Sequence, residues 1–443
     1  MAKTLGQRAI VIGASIAGLM TARVLSEYFN QVVAIDRDEI EDRPVVHKSV
    51  PQGHHQGGLN VVSSLYPSIT EELRRLGATR IAMGHSAVWY TPNGKAYNFT
   101  GSVKTPFDSG LEGYCSSRGL LEFVIRRRTA AISNIHFEYG TAVTGLICRD
   151  ATVVGVRTGD SRSIDADLVV DATGRAHRAR QWLAAIGFSP PGETEIGLDT
   201  AYSTANFRRP ESFSGEPLIF ITGPAPHFTR RGYVITIENG TLLVSLIGRF
   251  GDFPPTDREG FIAFAKELHS DLAYRIIKDG EQLTAIAHQR FVSSVQRHYE
   301  RMGHCPEGFV VIGDALCHFN PIYAQGMSAA AKQAQILQEI LSDCAKQSRG
   351  LSGIASSFFT QAAEFNSTPW NLAAGADFAF PQTRGVRPPG TAEQARYFAE
   401  LDNLAQEDSE VLRLMTEVFH LVQPLSVLQQ EPLRSRVLGR LAD

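Results

Sequence analysis

Two kinds of periodicity divide the chain. Near its start a continuous apolar run, Ala9-Ile-Val-Ile12, stops at Gly13, and Ile16, Leu19 and Met20 then follow at helical spacing. That is the pattern of a buried parallel strand turning into a helix. A second apolar run, Val32 to Ile35, completes a strand-helix-strand unit, and the same strand-to-helix change returns at Phe309-Val-Val-Ile312 before the Ala-rich stretch from Ser328. Between these lie short apolar segments separated by turns: Val143 to Cys148, Val153 to Val156, a Gly159-Asp160 turn and the run leading to Asp171, which predict a β-meander. From about Thr200 to Arg290 the pattern is that of strands, at Ala201 to Phe207, Leu218 to Thr222, Tyr233 to Glu238 and Thr241 to Ile247. Asn239-Gly240 joins the last two, predicting a hairpin whose two central residues both take positive φ. The last hundred residues turn helical, interrupted by Pro and Gly between Phe380 and Gly390, with Asp408 or Ser409 as N-cap of a helix whose apolar stripe runs to Val422.

The turn after the first strand carries chemistry. In Gly13-Ala-Ser15-Ile16-Ala17-Gly18, the first glycine allows a sharp turn and Gly18 lets the helix pack close to the sheet, so free N–H groups at the helix start face a pyrophosphate. Asp36 lies eighteen residues after Gly18, with Arg37 beside it, where a carboxylate accepts from an unphosphorylated adenosine ribose. Alone, the glycine spacing also fits an ordinary strand-helix turn; the acid at the right distance is a second, independent requirement. Ser15 replaces the middle glycine and adds a Cβ where backbone approaches phosphate. Downstream, Gly313-Asp314-Ala315 ends a buried strand, and Pro321 to Gln325 then opens a helix at Gly326-Met327. Such a helix start offers roughly half a positive charge.

This pairing resembles the flavin-ribityl motif of the para-hydroxybenzoate hydroxylase superfamily, FAD-dependent aromatic hydroxylases and epoxidases. The resemblance implies that Asp314, after Gly313, takes a ribityl hydroxyl, and that Gly326 and Met327, following Pro321 and Gln325, present N–H groups to the flavin pyrimidine. Asp171-Ala-Thr-Gly174-Arg175 looks like the central motif of that superfamily, which abuts the pyrophosphate. Ser116-Ser117-Arg118 opens a helix with two possible N-caps, and Arg118 resembles the arginine that contacts FAD phosphate. Backbone near Val143 would flank adenine. Within the superfamily, the Gly-x-Ser-x-x-Gly form resembles that of actinobacterial flavin epoxidases and hydroxylases, including those of polyether biosynthesis. These also carry a segment like Val50-Pro-Gln-Gly-His54-His55-Gln56-Gly-Gly58, which would bring Gln56 beside the flavin ring. Paired His54 and His55 suggest a metal less than they seem to, because no Cys or carboxylate cluster accompanies them.

The fold class so implied is α/β: a discontinuous Rossmann-like FAD-binding domain with a β-meander insertion (1–85, 105–200 and 291–345), a mixed β-sheet substrate domain (86–104 and 201–290), and a helical C-terminal region (346–443). The 443 residues, 43% hydrophobic and 20% charged, suffice for two or three lobes. A net charge of -3 gives no footprint for nucleic acid. Five scattered cysteines without a Cys-x-x-Cys pair suit a reducing cytoplasm. Ala9 to Ala22 imitates a signal-peptide core, but its removal would destroy the nucleotide turn. No apolar stretch is long enough to span a membrane.

The expected activity is monooxygenation, epoxidation or hydroxylation, of a largely apolar natural-product skeleton by dioxygen. NADPH or NADH would be the reductant, directly or through a separate flavin reductase, since no second Gly-x-Gly-x-x-Gly exists. Because the cofactor supplies the difficult step, no catalytic side chain is assigned. The alternatives are an FAD-dependent reductase of isoprenoid or polyene double bonds and a flavin halogenase. Against the latter, Trp89, Trp182 and Trp370 are dispersed and no Trp-x-Trp-x-Ile-Pro segment occurs.

Overall fold

A computed structural model of the protein describes residues 4–40, 56–82, 87–90, 96–98, 111–211, 213, 215–223 and 225–442. The segment 50–55, with His54 and His55, and much of 83–110 lie outside them.

The apolar runs form one parallel sheet of five strands, in the order Phe309–Val311, Leu168–Asp171, Gly6–Ile12, Phe29–Ile35 and Ile135–Glu138. Helices and the meander cover this sheet, so its central strands are buried on both faces; this is why they read as continuous hydrophobic stretches. The register aligns Ile12 with Asp171 and Asp171 with Val311, so three strands end level. Gly13, Asp171 and Gly313 therefore meet at one sheet edge, where the strand order reverses. Ligands bind at such a switch point, beyond the carboxyl ends of the strands.

Close packing of the first helix, Ile16–Leu25, depends on glycine. A Cβ on Gly18 would stand 1.8 Å from the Gly13 carbonyl oxygen, and one on Gly13, at φ 102°, would stand 2.6 Å from that of Ala172. The predicted meander is a three-stranded antiparallel sheet of Ser163–Asp165, Thr152–Thr158 and Val143–Arg149.

The second large sheet has eight strands, ordered Cys317–His318, Ala287–His298, Gly192–Arg208, Thr241–Arg249, Arg231–Ile237, Leu218–Thr222, Ala87–Tyr90 and Ala96–Asn98. Its central hairpin turns at Asn239 and Gly240, with φ of 61° and 62°, as predicted. Alternation gives it two apolar faces. Phe207, Val234, Leu242 and Val244 pack with the helices Arg258–Lys266 and Leu272–Ile277, whereas Tyr202, Tyr233, Leu243, Ile247 and Phe291 join the main core. The long strand Gly192–Arg208 shifts register between Gly197 and Thr200.

The C-terminal region is helical: Ile354–Asp377, Thr391–Ala405, Ser409–Phe419 and Leu433–Ala442 follow the long helix Gly326–Lys346. Tyr397, Leu401, Leu412 and Val437 form a small core of their own. Asp408, not Ser409, is the N-cap, its Oδ1 accepting from the Glu410 and Val411 N–H groups at 2.9 and 3.3 Å. Among the described residues no helix is long and apolar enough to cross a membrane.

Candidate functional site

At the switch point lies a cavity of about 200 Å³, open to solvent. Ten of the positions singled out in the sequence line it: Ser15, Ile16, Ala17, Arg118, Gly174, Gly313, Asp314, Pro321, Gly326 and Met327. They come from segments up to three hundred residues apart, joined by the level strand ends.

Two helices point their N-termini into this space. Ser15 precedes the helix Ile16–Leu25 in extended backbone and does not cap it, and the first turn holds no acidic residue. Gln325 likewise leaves Gly326–Lys346 uncapped by a side chain and without an acid in its first turn. Both ends thus keep free N–H groups and their partial positive charge. The Asp314 turn is braced from behind. Arg297 donates through Nη1 to the Asp314 and Ala315 carbonyls at 3.3 and 3.1 Å and through Nε to Glu193 Oε1 at 3.0 Å. The Gly313 N–H donates to Gln333 Oε1 at 2.7 Å, leaving the Asp314 side chain at the cavity.

The remaining predicted positions do not line the cavity. Gly13 and Gly18 serve the packing of the turn. Asp36 is engaged within the chain: Oδ2 accepts from the Ala14 N–H at 2.7 Å and Oδ1 from the Asp38 N–H at 3.0 Å. Arg37 is exposed beside Asp38. Asp171 is fully buried, its Oδ1 accepting from the Thr173 N–H at 2.9 Å while Oδ2 lacks a partner among the described residues; burial pushes its carboxyl up. Val143 is buried at the start of its meander strand. The Gln56 N–H donates to His420 Nδ1 at 3.1 Å and its Nε2 to Asn60 Oδ1 at 2.6 Å. Gln325 Nε2 donates to the Phe419 carbonyl at 3.1 Å. The C-terminal bundle therefore touches the starts of two helices, Gln56–Leu65 and Gly326–Lys346, of which the second begins at the cavity.

Sequence reasoning missed the opposite wall, built of Tyr202, Gln289, Arg290, Phe291 and Phe319. The strand Ala287–His298 supplies three of these; its polar composition gave no alternating signal. Behind Tyr202 runs a buried network. The Tyr202 hydroxyl donates to Asn320 Oδ1 at 3.2 Å, and Asn320 Nδ2 and the Tyr323 hydroxyl donate to Asp377 Oδ1 at 3.0 and 2.8 Å. Arg249 Nη2 meets the same oxygen at 2.9 Å. Burial raises the Tyr202, Tyr233 and Tyr323 phenols.

His177 lies behind Gly174, its Nε2 3.2 Å from the Tyr299 hydroxyl. Burial, then the charge of Arg297, lowers its pKa from 6.5 to about 3. Between these values the unfolded chain binds the extra proton, so stability must fall as pH drops below the unfolded pKa. His177→Gln keeps a polar group without the titration and is expected to flatten the fall in melting temperature between about pH 7 and pH 4.5. An unchanged slope would assign that fall to other groups.

No family model matches the chain. It is 28% identical to Protein Rv3254 of Mycobacterium tuberculosis over 458 aligned positions, covering 97% of this chain and 93% of that protein. Its structure is similar to flavin-dependent brominase Bmp2, with TM-score 0.69, 13% identity and 99% and 98% of the two chains covered. It is also similar to p-nitrophenol 4-monooxygenase PnpA from Pseudomonas putida DLL-E4, with TM-score 0.66, 16% identity and coverage of 96% and 100%. The fold shared with these two flavin-dependent enzymes is a mixed α/β architecture with a Rossmann-like parallel sheet.

Proposed function

We propose that the protein is an FAD-dependent monooxygenase that inserts one atom of dioxygen, by epoxidation or hydroxylation, into a largely apolar natural-product substrate. The observation that carries this reading is the convergence of two uncapped helix N-termini, Arg118 and Asp314 on one cavity at the switch point of this fold.

The residues fit the cofactor. The turn Gly13, Ser15, Ile16, Ala17 and Gly18, with Arg118, suits a pyrophosphate: one helix end and one guanidinium face the cavity, and no Cβ fits at Gly13 or Gly18. Asp171 and Gly174 support that turn from the neighbouring strand end. Asp36, with Arg37 beside it, would receive the adenosine ribose, its oxygens retaining lone pairs beyond the two backbone bonds they accept; Val143 would lie toward adenine. Gly313 and Asp314 suit the ribityl chain. Gly326 and Met327, held by Pro321 and Gln325, suit the electron-rich end of the flavin, with Gln56 on the neighbouring helix start.

Reduced FAD would supply the activation of dioxygen. The chain's own part is to hold and orient, and to exclude water. Tyr202, Phe291 and Phe319 offer rings toward the substrate side, while Arg175 stands 5.5 Å over the Phe291 ring. The lobes proposed are the FAD-binding domain (1–85, 105–200 and 291–345), the substrate sheet (86–104 and 201–290) and the helical region (346–443). NADPH or NADH, or a separate flavin reductase, would deliver electrons. A cytoplasmic location is proposed from the five free cysteines.

The purified protein should be yellow and release FAD on denaturation. With labelled dioxygen the product should carry one labelled oxygen, and the reduced protein without substrate should release hydrogen peroxide. A product formed at full rate without oxygen would overturn monooxygenation in favour of double-bond reduction. A product formed only with bromide would favour halogenation, the reading that similarity to Bmp2 supports.

A further inference from the structure

The serine in the glycine turn is bonded on both sides. Its hydroxyl donates to Glu122 Oε2 at 3.0 Å and accepts from Arg118 Nη2 at 3.1 Å. It makes no bond to its own helix. Glu122 lies one turn beyond Arg118, its Oε2 3.6 Å from Arg118 Nε, and is only 6% exposed. Its other oxygen accepts from Arg126 Nη2 at 2.5 Å, and Arg126 is itself buried.

These contacts have a direction. A hydroxyl has one proton, and Ser15 gives it to Glu122, so its lone pairs are left for Arg118. A carboxylate this close to a bound anion would repel it if alone, but Arg126 balances it from the far side. The Arg118 side chain is 40% exposed and lines the cavity. A long side chain at such a site loses rotamer freedom on binding unless something already holds it.

We propose that Ser15 and Glu122 are positioning residues that aim the Arg118 guanidinium at the pyrophosphate of FAD. Serine at this point is then a working part of the anion site, not a tolerated departure from glycine. The inference rests on the FAD reading above. It adds Glu122, which no spacing rule identifies, and gives the middle position of the turn a chemical task.

The decisive variant is Ser15→Gly, which restores the more familiar fingerprint. If that position needs only a small residue, Ser15→Gly binds FAD as tightly as the parent or more so. On the present inference it binds about five- to fiftyfold more weakly, because both side-chain bonds are lost and Arg118 keeps only its longer contact with Glu122. Fluorescence titration of apoprotein with FAD reads this directly. Competition by ADP should weaken by the same factor, and competition by adenosine, which has no phosphate, should not change. Glu122→Gln keeps the shape and should show a smaller loss in the same order. In an Arg118→Met background Ser15→Gly should add nothing. Unchanged or tighter FAD binding by Ser15→Gly overturns the inference, as does a loss that persists without Arg118 or extends to adenosine. Failure of the parent apoprotein to bind either FAD or ADP is a different result: it overturns the functional reading, and this inference with it.

Discussion

Gly18→Ala should purify without flavin. The added Cβ would lie 1.8 Å from the Gly13 carbonyl oxygen, well inside any real contact, and 3.4 Å from Val11 Cγ1. The Gly13 side cannot yield, because its N–H donates to the Ile35 carbonyl at 2.7 Å and its Cα faces the Ala172 carbonyl. The helix Ile16–Leu25 must therefore move outward. Its buried face, Leu19, Met20, Ala22 and Leu25, then loses packing, at about 1–3 kcal/mol for overpacking of this kind. The N–H groups of its first turn lose their aim at the same time, and misplacement by about 1 Å can cost on the order of a hundredfold in a positioned site. Flavin absorbance per protein after purification, together with the melting temperature, measures both effects. Full flavin content in Gly18→Ala would show that the close approach is not needed for binding.

The second large effect is expected at Asp377. Its Oδ1 accepts from Asn320 and Tyr323 and faces Arg249, whose side chain is 0% exposed. Burial opposes the guanidinium charge, but Asp377 and Tyr323 keep it strongly favoured. Asp377→Ala leaves that cation buried without a counter-charge, a loss of about 3–5 kcal/mol. It also releases Asn320 and Tyr323, which hold the turn leading to Gly326, so flavin affinity should fall with stability. Arg249→Met combined with Asp377→Leu should cost less than the sum of the single changes, since no charge is then stranded. Urea unfolding of the parent, Asp377→Ala, the singles Arg249→Met and Asp377→Leu, and their double gives the comparison. The exposed pair Arg208 and Glu281 is the control, its removal being expected to change stability little because solvent screens both charges. A loss at Asp377 no larger than at this control would show that the buried pair does not support the fold.

The two sites differ in how far the sequence reveals them. Gly18 belongs to a pattern complete within about thirty residues. Strand, turn, helix and the next strand are set by local spacing, and the strands read as apolar because the sheet is buried on both faces. The Asn239-Gly240 hairpin and a helix cap at Asp408 or Ser409 were legible for the same reason: backbone geometry within a few residues dictates those side chains. Asp377 belongs to no such pattern. It sits on a C-terminal helix, and its partners come from a strand end at Arg249 and a loop at Asn320 and Tyr323. Nothing local distinguishes it from a surface aspartate.

The cavity divides along the same line. Local sequence determined the two helix starts, the glycine that lets one pack, the carboxylates Asp36, Asp171 and Asp314 at three strand ends and the meander between them. Those features follow from steric and hydrogen-bonding requirements that neighbouring residues satisfy among themselves. Only the tertiary structure decided that Asp36 braces the Ala14 N–H, that Glu122 stands behind Ser15, and that Tyr202, Gln289, Arg290 and Phe291 form the facing wall. Each of these depends on strand order and register, which bring together residues about 20 to 110 positions apart in the first two cases. Sheet pairing is set by the burial of whole faces, and that choice is made by the assembled core rather than by any segment of it.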